Sequence, residues 1–548
     1  MSAVPQEVIA ALGGRTPTEQ QWTAIGAPLE PSVLIAGAGS GKTAVMAARI
    51  VWLIVNGHAK ANEILGLTFT NKAAESLRAR VQTAIESLRL PPGEEPVVAT
   101  YHSFASSLIA DYGLRAGYEP GAGLLTDAQV WQLIGREYQA RTYQHMEVRN
   151  LWHVPWIRHL ADECANHLIE PEDVIEFDRG FIERVQDSTE VKAKARLITA
   201  AEKRIELCGV VAGYRAAKRA RHVMDYGDQI AIAAEIAADP RVAEDFLARF
   251  RFTLLDEYQD TNVAQAVMLK RLMPDGYPVM AVGDPDQNIY AWRGASLYNL
   301  LAFSQQFPKA NGTPATVLPL EVNFRSGKSI LDLANVLIEG IDEARRPPGK
   351  VLRHFLERGA GSLAVGLYPD EAAEGEAVAA EAVVQRDAGT PWREVAVLCR
   401  KKRLFGSVVE AFRARGIPLE VTDLGGLLRM PEVTDLVSLL RVIDDPMRNV
   451  ALARLLRGPR WRIGHRDLAL IGRHAAERNR GLREQMGDNE NTGDIAFSLA
   501  EELAALDEIE GVSHEARARI AEFNGMLARL RSRADLPLSD LVARAPRG

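Results

Sequence analysis

Cysteine is scarce. The 548-residue chain carries three, Cys164, Cys208 and Cys399, far apart and without a Cys-x-x-Cys pair. That spacing argues against a disulfide framework, a zinc site or a four-cysteine iron–sulfur cluster within the chain, and leaves the three as small buried hydrophobes. Long hydrophobic runs are missing as well. No apolar stretch approaches the roughly 18 residues needed to span a bilayer. Met1 to Gly14 has neither a basic leader nor a signal-type apolar core, so a cytoplasmic location and no membrane partner are expected. An excess of positive charge is also absent: 65 basic against 72 acidic residues leave a net charge of −7. Nucleic acid is not excluded by this, because a local basic groove is enough to bind it. What is present is ordinary for a globular protein, 47% hydrophobic and 25% charged, in a chain too long for one core and therefore expected to hold several domains.

Short apolar runs alternate with helical stretches in the N-terminal part, which predicts a parallel α/β sheet. Val33 to Ile35 and Leu65 to Phe69 read as buried strands, each followed by a helix. The first of these helices carries Ala44 to Val55 and stops at Asn56-Gly57, while Pro91-Pro92-Gly93 marks a loop. From Ser106 to Gly227 strand-like alternation disappears and Ala, Leu, Arg and Glu dominate; strands return at Phe252 to Leu255 and Val279 to Val282. The expectation is one sheet domain over residues 1–105 and 228–310, interrupted by a helical insertion over 106–227. A second α/β region is expected over 311–425, starting near Val317, with strands at Leu363 to Leu367 and Val395 to Leu398 around a helix from Glu371 to Gln385. Residues 426–548 read as a further, partial helical insertion, broken by the polar loop Gly487 to Asp494.

Two segments carry chemistry. Ala36-Gly37-Ala38-Gly39-Ser40-Gly41-Lys42-Thr43 directly follows a strand and opens a helix. Glycine-rich turns of this kind also occur for packing alone, but the Gly-Lys-Thr ending favours a phosphate-binding loop. Its backbone N–H groups and helix N-terminus would wrap phosphates, Lys42 would reach the β- and γ-phosphates, and the Thr43 hydroxyl would ligate Mg²⁺. Asp256-Glu257 ends an apolar strand, at the edge where open α/β sheets bind ligands. An acidic pair is usually a solvated surface feature; here Asp256 is suited to hold Mg²⁺ and Glu257 to polarise an attacking water. The basic run Lys218-Arg219-Ala220-Arg221-His222 reads as a solvated helix face.

Further motifs stand in order around these two. Asp256-Glu257-Tyr258-Gln259-Asp260 resembles the DExxQD form of motif II of the UvrD/Rep/PcrA family of superfamily 1 helicases. Gln21 sits where that family has its adenine-reading glutamine, Thr68 to Ala74 resembles motif Ia, and Thr100 to Phe104 resembles its TFHS-type DNA-contact motif. Val282 to Ala295 is similar to motif III and Asn323-Phe324-Arg325-Ser326 to motif IV, so the likeness covers roughly residues 18–330, with a weaker match through Gly416-Ile417-Pro418. The resemblance implies an α/β fold of the P-loop NTPase (RecA-like) type, with two parallel-sheet domains per motor, each with a helical insertion. It implies an ATP-dependent 3′-to-5′ DNA helicase or translocase of DNA repair or recombination, with ATP and Mg²⁺ as cofactors and single-stranded and partially duplex DNA as partners. Gln287 would contact the γ-phosphate, Arg325 would reach it from the second α/β domain as an arginine finger, and Phe324 would stack on the adenine. Thr68, Phe69, Asn71, Tyr101, His102, Tyr290, Trp292 and Arg293 would face DNA, with aromatic faces for unpaired bases.

The chain departs from the family pattern in places. Ala44 follows Gly-Lys-Thr where the family often has Arg or Glu, and Asp225-Tyr226-Gly227-Asp228 is a variant of its phenylalanine–aspartate run. Past Arg400 neither the His-x-x-Lys-Gly-Leu-Glu segment of motif V nor the Val-Ala-x-Thr-Arg-Ala segment of motif VI is found. The expectation is that the native protein continues beyond Gly548 into them; the alternative is a non-catalytic ATP- and DNA-binding subunit or fragment of a larger machine. Leu424 to Leu428 and Gly458 to Gly464 resemble the actinobacterial helicase–nuclease machines of the AdnA/AdnB type, which implies a partner subunit in a helicase–nuclease complex.

Overall fold

The computed structural model describes residues 4–86, 94–119, 121–146, 151–186, 191–341, 351–421, 430–486 and 498–534, with 536, 538, 540 and 542. The expected loops at Pro91 to Gly93 and Gly487 to Asp494, and the segment Leu424 to Leu428, lie outside these residues. Two compact units divide the chain, Met1–Val365 and Gly366–Gly548.

The first unit is built on strands β1 (Ser32–Ala36), β2 (Ile64–Thr68), β3 (Val97–Thr100), β4 (Gly123–Leu124), β5 (Val223–Met224), β6 (Phe252–Leu255), β7 (Val279–Gly283), β8 (Thr316–Leu320), β9 (Val322–Asn323) and β10 (Arg353–His354). Six of them form one parallel sheet in the order β3-β2-β6-β7-β1-β8; β4 pairs with β5, and β9 with β10. Both faces of the sheet are covered, which is why its strands read as unbroken apolar runs. Leu34, Ile64, Leu254 and Met280 point into one core with helices α1 (Gln6–Ala11), α2 (Glu19–Ile25), α3 (Lys42–Val55) and α4 (Asn71–Ile85). Val33, Leu65, Leu67 and Leu255 point into the other, against α5 (Tyr101–Tyr112) and the helices after residue 225. The period-two alternation of side chains sorts neighbours in one strand into opposite layers.

The helical insertion has its own core. Helices α6 (Asp127–Gln139), α7 (Val154–His167) and α9 (Val191–Ala220) surround Ile134, Tyr138, Ile157, Val211 and Tyr214, α8 (Pro171–Gln186) packs along α9, and α10 (Tyr226–Ile236) returns the chain to the sheet. Lys218, expected on a solvated face, is instead buried. Its ammonium is 2.6 Å from both Asp225 and Asp228, because the carboxylates of the first turn of α10 need a counter-charge inside the fold. Cys164 and Cys208 are buried as expected, while Cys399 is half-exposed.

Two strand expectations are corrected. β8, at the expected start of a second α/β region, is an edge strand of the first sheet, paired with β1 from Ser32↔Thr316 to Ala36↔Leu320. Leu363 to Leu367 and Val395 to Leu398 carry no sheet pairing among the described residues. Leu367 and Leu398 are 99% and 95% exposed. Apolar content makes a segment strand-competent, but only a hydrogen-bonded neighbour and a covered face make it a strand. In the second unit, Glu371–Asp387 and Phe405–Ala414 are paired helices around Ala379, Ala382, Phe412 and Ile417. Its larger core gathers helices Pro431–Asp444, Asn449–Arg457 and His514–Arg531 around Leu452, Ile520 and Phe523. Trp461 lies edge-on to Phe523 at 5.3 Å, so the Gly458 to Gly464 segment supplies packing to this core. No helix among the described residues is long and apolar enough to cross a membrane.

Leu34 is fully buried in a strand with neighbours on both sides. Leu34→Ala is therefore expected to lower stability by about 2–5 kcal/mol, read as a lower urea midpoint. Val317→Ala, on the exposed side of β8, should stay within about 0.5 kcal/mol of the parent.

Candidate functional site

The turn after β1 is held open by its glycines. Gly39 and Gly41 have φ of +73° and +87°, and a Cβ on Gly39 would fall 2.7 Å from Arg325 Cβ and from Asn323 Nδ2. The Phe324 N–H donates to Gly39 O at 2.8 Å and Asn323 Nδ2 donates to Ala38 O, so a segment almost 300 residues away lines the loop. Ser40 closes it from within, its hydroxyl donating to Gly37 O at 2.8 Å. α3 starts at Lys42 with Gly41 as N-cap and no side chain capping it. The first-turn N–H groups of such a helix have no intrahelical acceptor, which makes its start a cradle for an anion, and the residues from Ala36 to Thr43 supply that cradle.

Beside the loop lies α2. Thr18 caps it reciprocally with Gln21: the Thr18 N–H donates to Gln21 Oε1 at 3.1 Å, and the Gln21 N–H to Thr18 Oγ1 at 3.2 Å. Gln21 is buried, and its Nε2 donates to Ser40 O at 3.3 Å. One N–H and one lone pair of this amide are left over.

The acidic pair stands at the end of β6. Glu257 adopts a left-handed backbone, φ +47° and ψ +43°, a conformation that non-glycine side chains avoid and that marks stored strain. Its carboxylate accepts from Lys42 Nζ at 3.1 Å and from Gln259 Nε2 at 2.8 Å. Asp256 is almost fully buried; desolvation, with the charge of Glu257 second, pushes it up to about 7. Burial and Glu257 likewise push Asp260 up to about 6. Asp256 and Asp260 thus stand close to Glu257 and within the field of the Lys42 ammonium, which opposes both upward shifts, and no group of three or more carboxylate, histidine or cysteine side chains placed to hold a metal ion occurs among the described residues.

Gln259 was not among the sequence candidates, yet it joins the two halves of the site. Buried at 1% exposure, it accepts the Asp284 N–H through Oε1 at 3.0 Å while its Nε2 reaches Glu257. Asn288 Nδ2 donates to its carbonyl, and Asp284 accepts from Gln287 Nε2. Asn323 is a second omission: its Oδ1 accepts the N–H groups of Arg325 and Ser326, both at 2.8 Å, setting the turn that presents Arg325 at the lip of the loop. Asparagine and glutamine in a motif leave no mark in periodicity or charge; only their partners reveal them. Arg325, expected to arrive from a second α/β domain, follows β9 of the two-stranded β9–β10 sheet and lies in the same compact unit as the loop. Phe324 packs against Phe355 at 5.1 Å.

Beyond Gln287 an aromatic cluster reaches the surface. Phe69 stacks on Tyr290 at 4.9 Å, Tyr290 lies 6.3 Å from Trp292, and the Arg293 guanidinium sits 4.5 Å above the Trp292 ring. Trp292 is 64% exposed although its Nε1 donates to Ile289 O. His102 is half-buried and edge-on to Tyr226 at 6.0 Å; burial, then Arg293, holds its pKa below the ordinary value. Tyr226, in the segment that varies the family's phenylalanine–aspartate run, is largely exposed and extends the set. Asn71 is exposed at the start of α4. Two of the expected DNA-facing residues are corrected. The Tyr101 ring is buried in the sheet core with its hydroxyl donating to Asp256 O at 3.3 Å, and the Thr68 side chain is fully buried, donating to Thr70 O. Each sits at a strand–helix junction, where the pleat turns that position inward.

Comparison with known proteins gives a consistent picture. Residues 17–308 match the UvrD/REP helicase N-terminal domain family and residues 318–506 the UvrD-like helicase C-terminal domain family. The chain is 31% identical to a protein named ATP-dependent DNA helicase UvrD1 from Mycobacterium tuberculosis, over 98% of this chain and 64% of that protein. It is 27% identical to ATP-dependent DNA helicase PcrA from Bacillus subtilis, over 85% and 58%, and 28% identical to ATP-dependent DNA helicase Rep from Salmonella typhimurium, over 92% and 67%. The chain thus spans about two-thirds or less of the length of these relatives.

The loop geometry makes a prediction. Gly39→Ala places a Cβ against Asn323 and Arg325 in a left-handed backbone, a conformation that disfavours L-residues by about 1–2 kcal/mol. Triphosphate affinity, read by calorimetry, should fall by about tenfold. Gly13→Ala, also at positive φ but facing open space, should leave it unchanged.

Proposed function

The chain belongs to the UvrD/REP helicase family, and from that premise we propose that it forms the ATP- and DNA-binding part of a 3′-to-5′ DNA helicase that couples ATP hydrolysis to movement along single-stranded DNA. One observation carries the reading. Gln259 physically joins Glu257, beside the phosphate cradle, to the loop that displays Tyr290, Trp292 and Arg293.

In this reading the leftover N–H and lone pair of the Gln21 amide meet the N7 acceptor and N6 donor of adenine; guanine offers two acceptors there and is rejected. The N-terminus of α3 and the glycine loop take the phosphates, and an incoming γ-phosphate competes with Glu257 for the Lys42 ammonium. That exchange releases the Glu257 carboxylate to accept the proton of the attacking water. Thr43 and Asp256 are the residues that would hold Mg²⁺, which would supply charge neutralisation for the phosphates and the nearby carboxylates. Arg325 stabilises charge developing on the γ-phosphate. Gln287, tethered to Asp284, senses whether that phosphate is present and passes its state through Gln259 to the aromatic loop. Phe69, Tyr290 and Trp292 stack on unpaired bases regardless of their identity, as movement along any sequence requires, and His102, Asn71 and Arg293 flank the track. Differential affinity of the two motor domains for DNA with and without ATP then makes each hydrolysis a step. A role in DNA repair or recombination, a cytoplasmic location and 3′-to-5′ polarity follow from the family likeness. A partner subunit of helicase–nuclease type belongs to the same reading.

Two measurements test it. Single-stranded DNA should stimulate ATP hydrolysis by the protein, and Lys42→Ala should abolish the stimulated rate while DNA binding persists; equal hydrolysis by parent and variant would sink the proposal. ATP and DNA binding without turnover would favour a non-catalytic binding module. Trp292→Ala should weaken single-stranded DNA binding by about 1–3 kcal/mol, measured by fluorescence anisotropy, for pyrimidine and purine oligonucleotides alike.

A further inference from the structure

One cation in the sheet unit has no acid to explain it. Arg49, on α3 about two turns beyond the phosphate loop, is fully buried, with no carboxylate paired to it among the described residues. Its guanidinium lies 4.9 Å from the Trp52 ring and 5.1 Å from the Phe252 ring, and its Nε has no hydrogen-bond partner. A methionine would fill this volume without desolvating a charge, so packing alone does not account for an arginine. The remaining nitrogens supply the reason. Nη1 donates to Ile25 O at 2.6 Å and Nη2 to Pro28 O at 3.2 Å.

Both carbonyls belong to the end of α2 and the turn after it. Ile25 is the last residue of that helix, and its carbonyl is one that helix geometry leaves without an internal acceptor role. α2 has only seven residues, too few to be stable alone. It is tied down at four points: the Thr18–Gln21 cap, the Gln21 Nε2 donating to Ser40 O at 3.3 Å, the Glu321 N–H donating to Gln20 Oε1 at 3.1 Å, and Arg49. Gln21 stands one turn before Ile25, and Arg49 stands on the helix whose N-terminus is the phosphate cradle.

We infer that Arg49 is a positioning residue for base selection: by clamping the carboxyl end of α2 to α3, it sets the distance between the Gln21 amide and the phosphate loop, so that base and phosphates are read from one rigid element. This rests on the assignment of Gln21 to adenine. The guanidinium touches no nucleotide; it acts through α2. Two donors in a planar fork suit two carbonyls on one turn, which a lysine ammonium cannot reproduce.

The test compares binding of ATP, GTP and inorganic tripolyphosphate to the parent, Arg49→Met, Gln21→Ala and the double variant. Arg49→Met should weaken ATP by about tenfold, with GTP and tripolyphosphate within about twofold, so that the preference for ATP is lost. The double variant should be no worse than Gln21→Ala, since residues acting through one contact are not additive. Where Arg49→Met does not fold, Arg49→Lys keeps the charge and one carbonyl contact and should shift the same ratio to a smaller extent. An unchanged ATP-to-GTP ratio in the Arg49 variants, or an equal loss for all three ligands, overturns the inference while leaving Gln21 in its role. An unchanged ratio in Gln21→Ala overturns the adenine assignment itself and the inference with it.

Discussion

All six strands of the main sheet run in one direction, and the rest of the structure depends on that constraint. A parallel sheet brings every carboxyl end to one edge. β1 delivers the glycine loop there, β6 the acidic pair, β7 the segment with Gln287, and β8 the approach to Arg325. Residues as distant in sequence as Gln20 and Glu321 therefore come within hydrogen-bond distance. The apolar runs that hold the strands have no chemistry of their own; they fix the geometry in which the chemistry becomes possible.

That edge stores unfavourable energy. Glu257 sits in a left-handed backbone, Asp256 is desolvated next to it, and Asp260 adds a third carboxylate. Isolated, such a cluster would expel its charges or open to water. It persists because the sheet holds the strand ends and because the Gln259 amide donates to Glu257, while Asp260 Oδ1 is buried without a hydrogen-bond partner. Gln259 links Glu257 through hydrogen bonds to Asp284 and Asn288, at the start of the segment that continues to Tyr290 and Trp292. The helical insertion joins this network too: Asn166 of α7 donates to Arg293 O and accepts from Asn262.

Much of this was legible in sequence. The glycine loop between strand and helix, the acidic pair ending a strand and the helical insertion all follow from local periodicity and turn chemistry. So did the exposed Trp292 beside Arg293. The errors have a common cause. Leu363 to Leu367 and Val395 to Leu398 have strand composition without sheet partners; Lys218 has surface composition but a buried role; Tyr101 and Thr68 lie in motifs whose neighbours, rather than they, face outward. In each case a local signal was correct about residue type and silent about what stands opposite it.

By itself, the sequence determined which residue types were available and in what local geometry: an uncapped helix start after three glycines, carboxylates at a strand end, aromatics in a polar loop. Those properties arise from interactions within a few residues, so they are written in the order of the chain. Only the tertiary structure decided that Gln259 bridges two motifs, that Asn323 and Arg325 line the loop from the turn after β9, and that Arg49 holds the end of α2 to α3. These are contacts across long separations, made by side chains whose partners are chosen by strand order and packing. A hydrogen bond needs its two groups about 3 Å apart, and that proximity is a property of the fold.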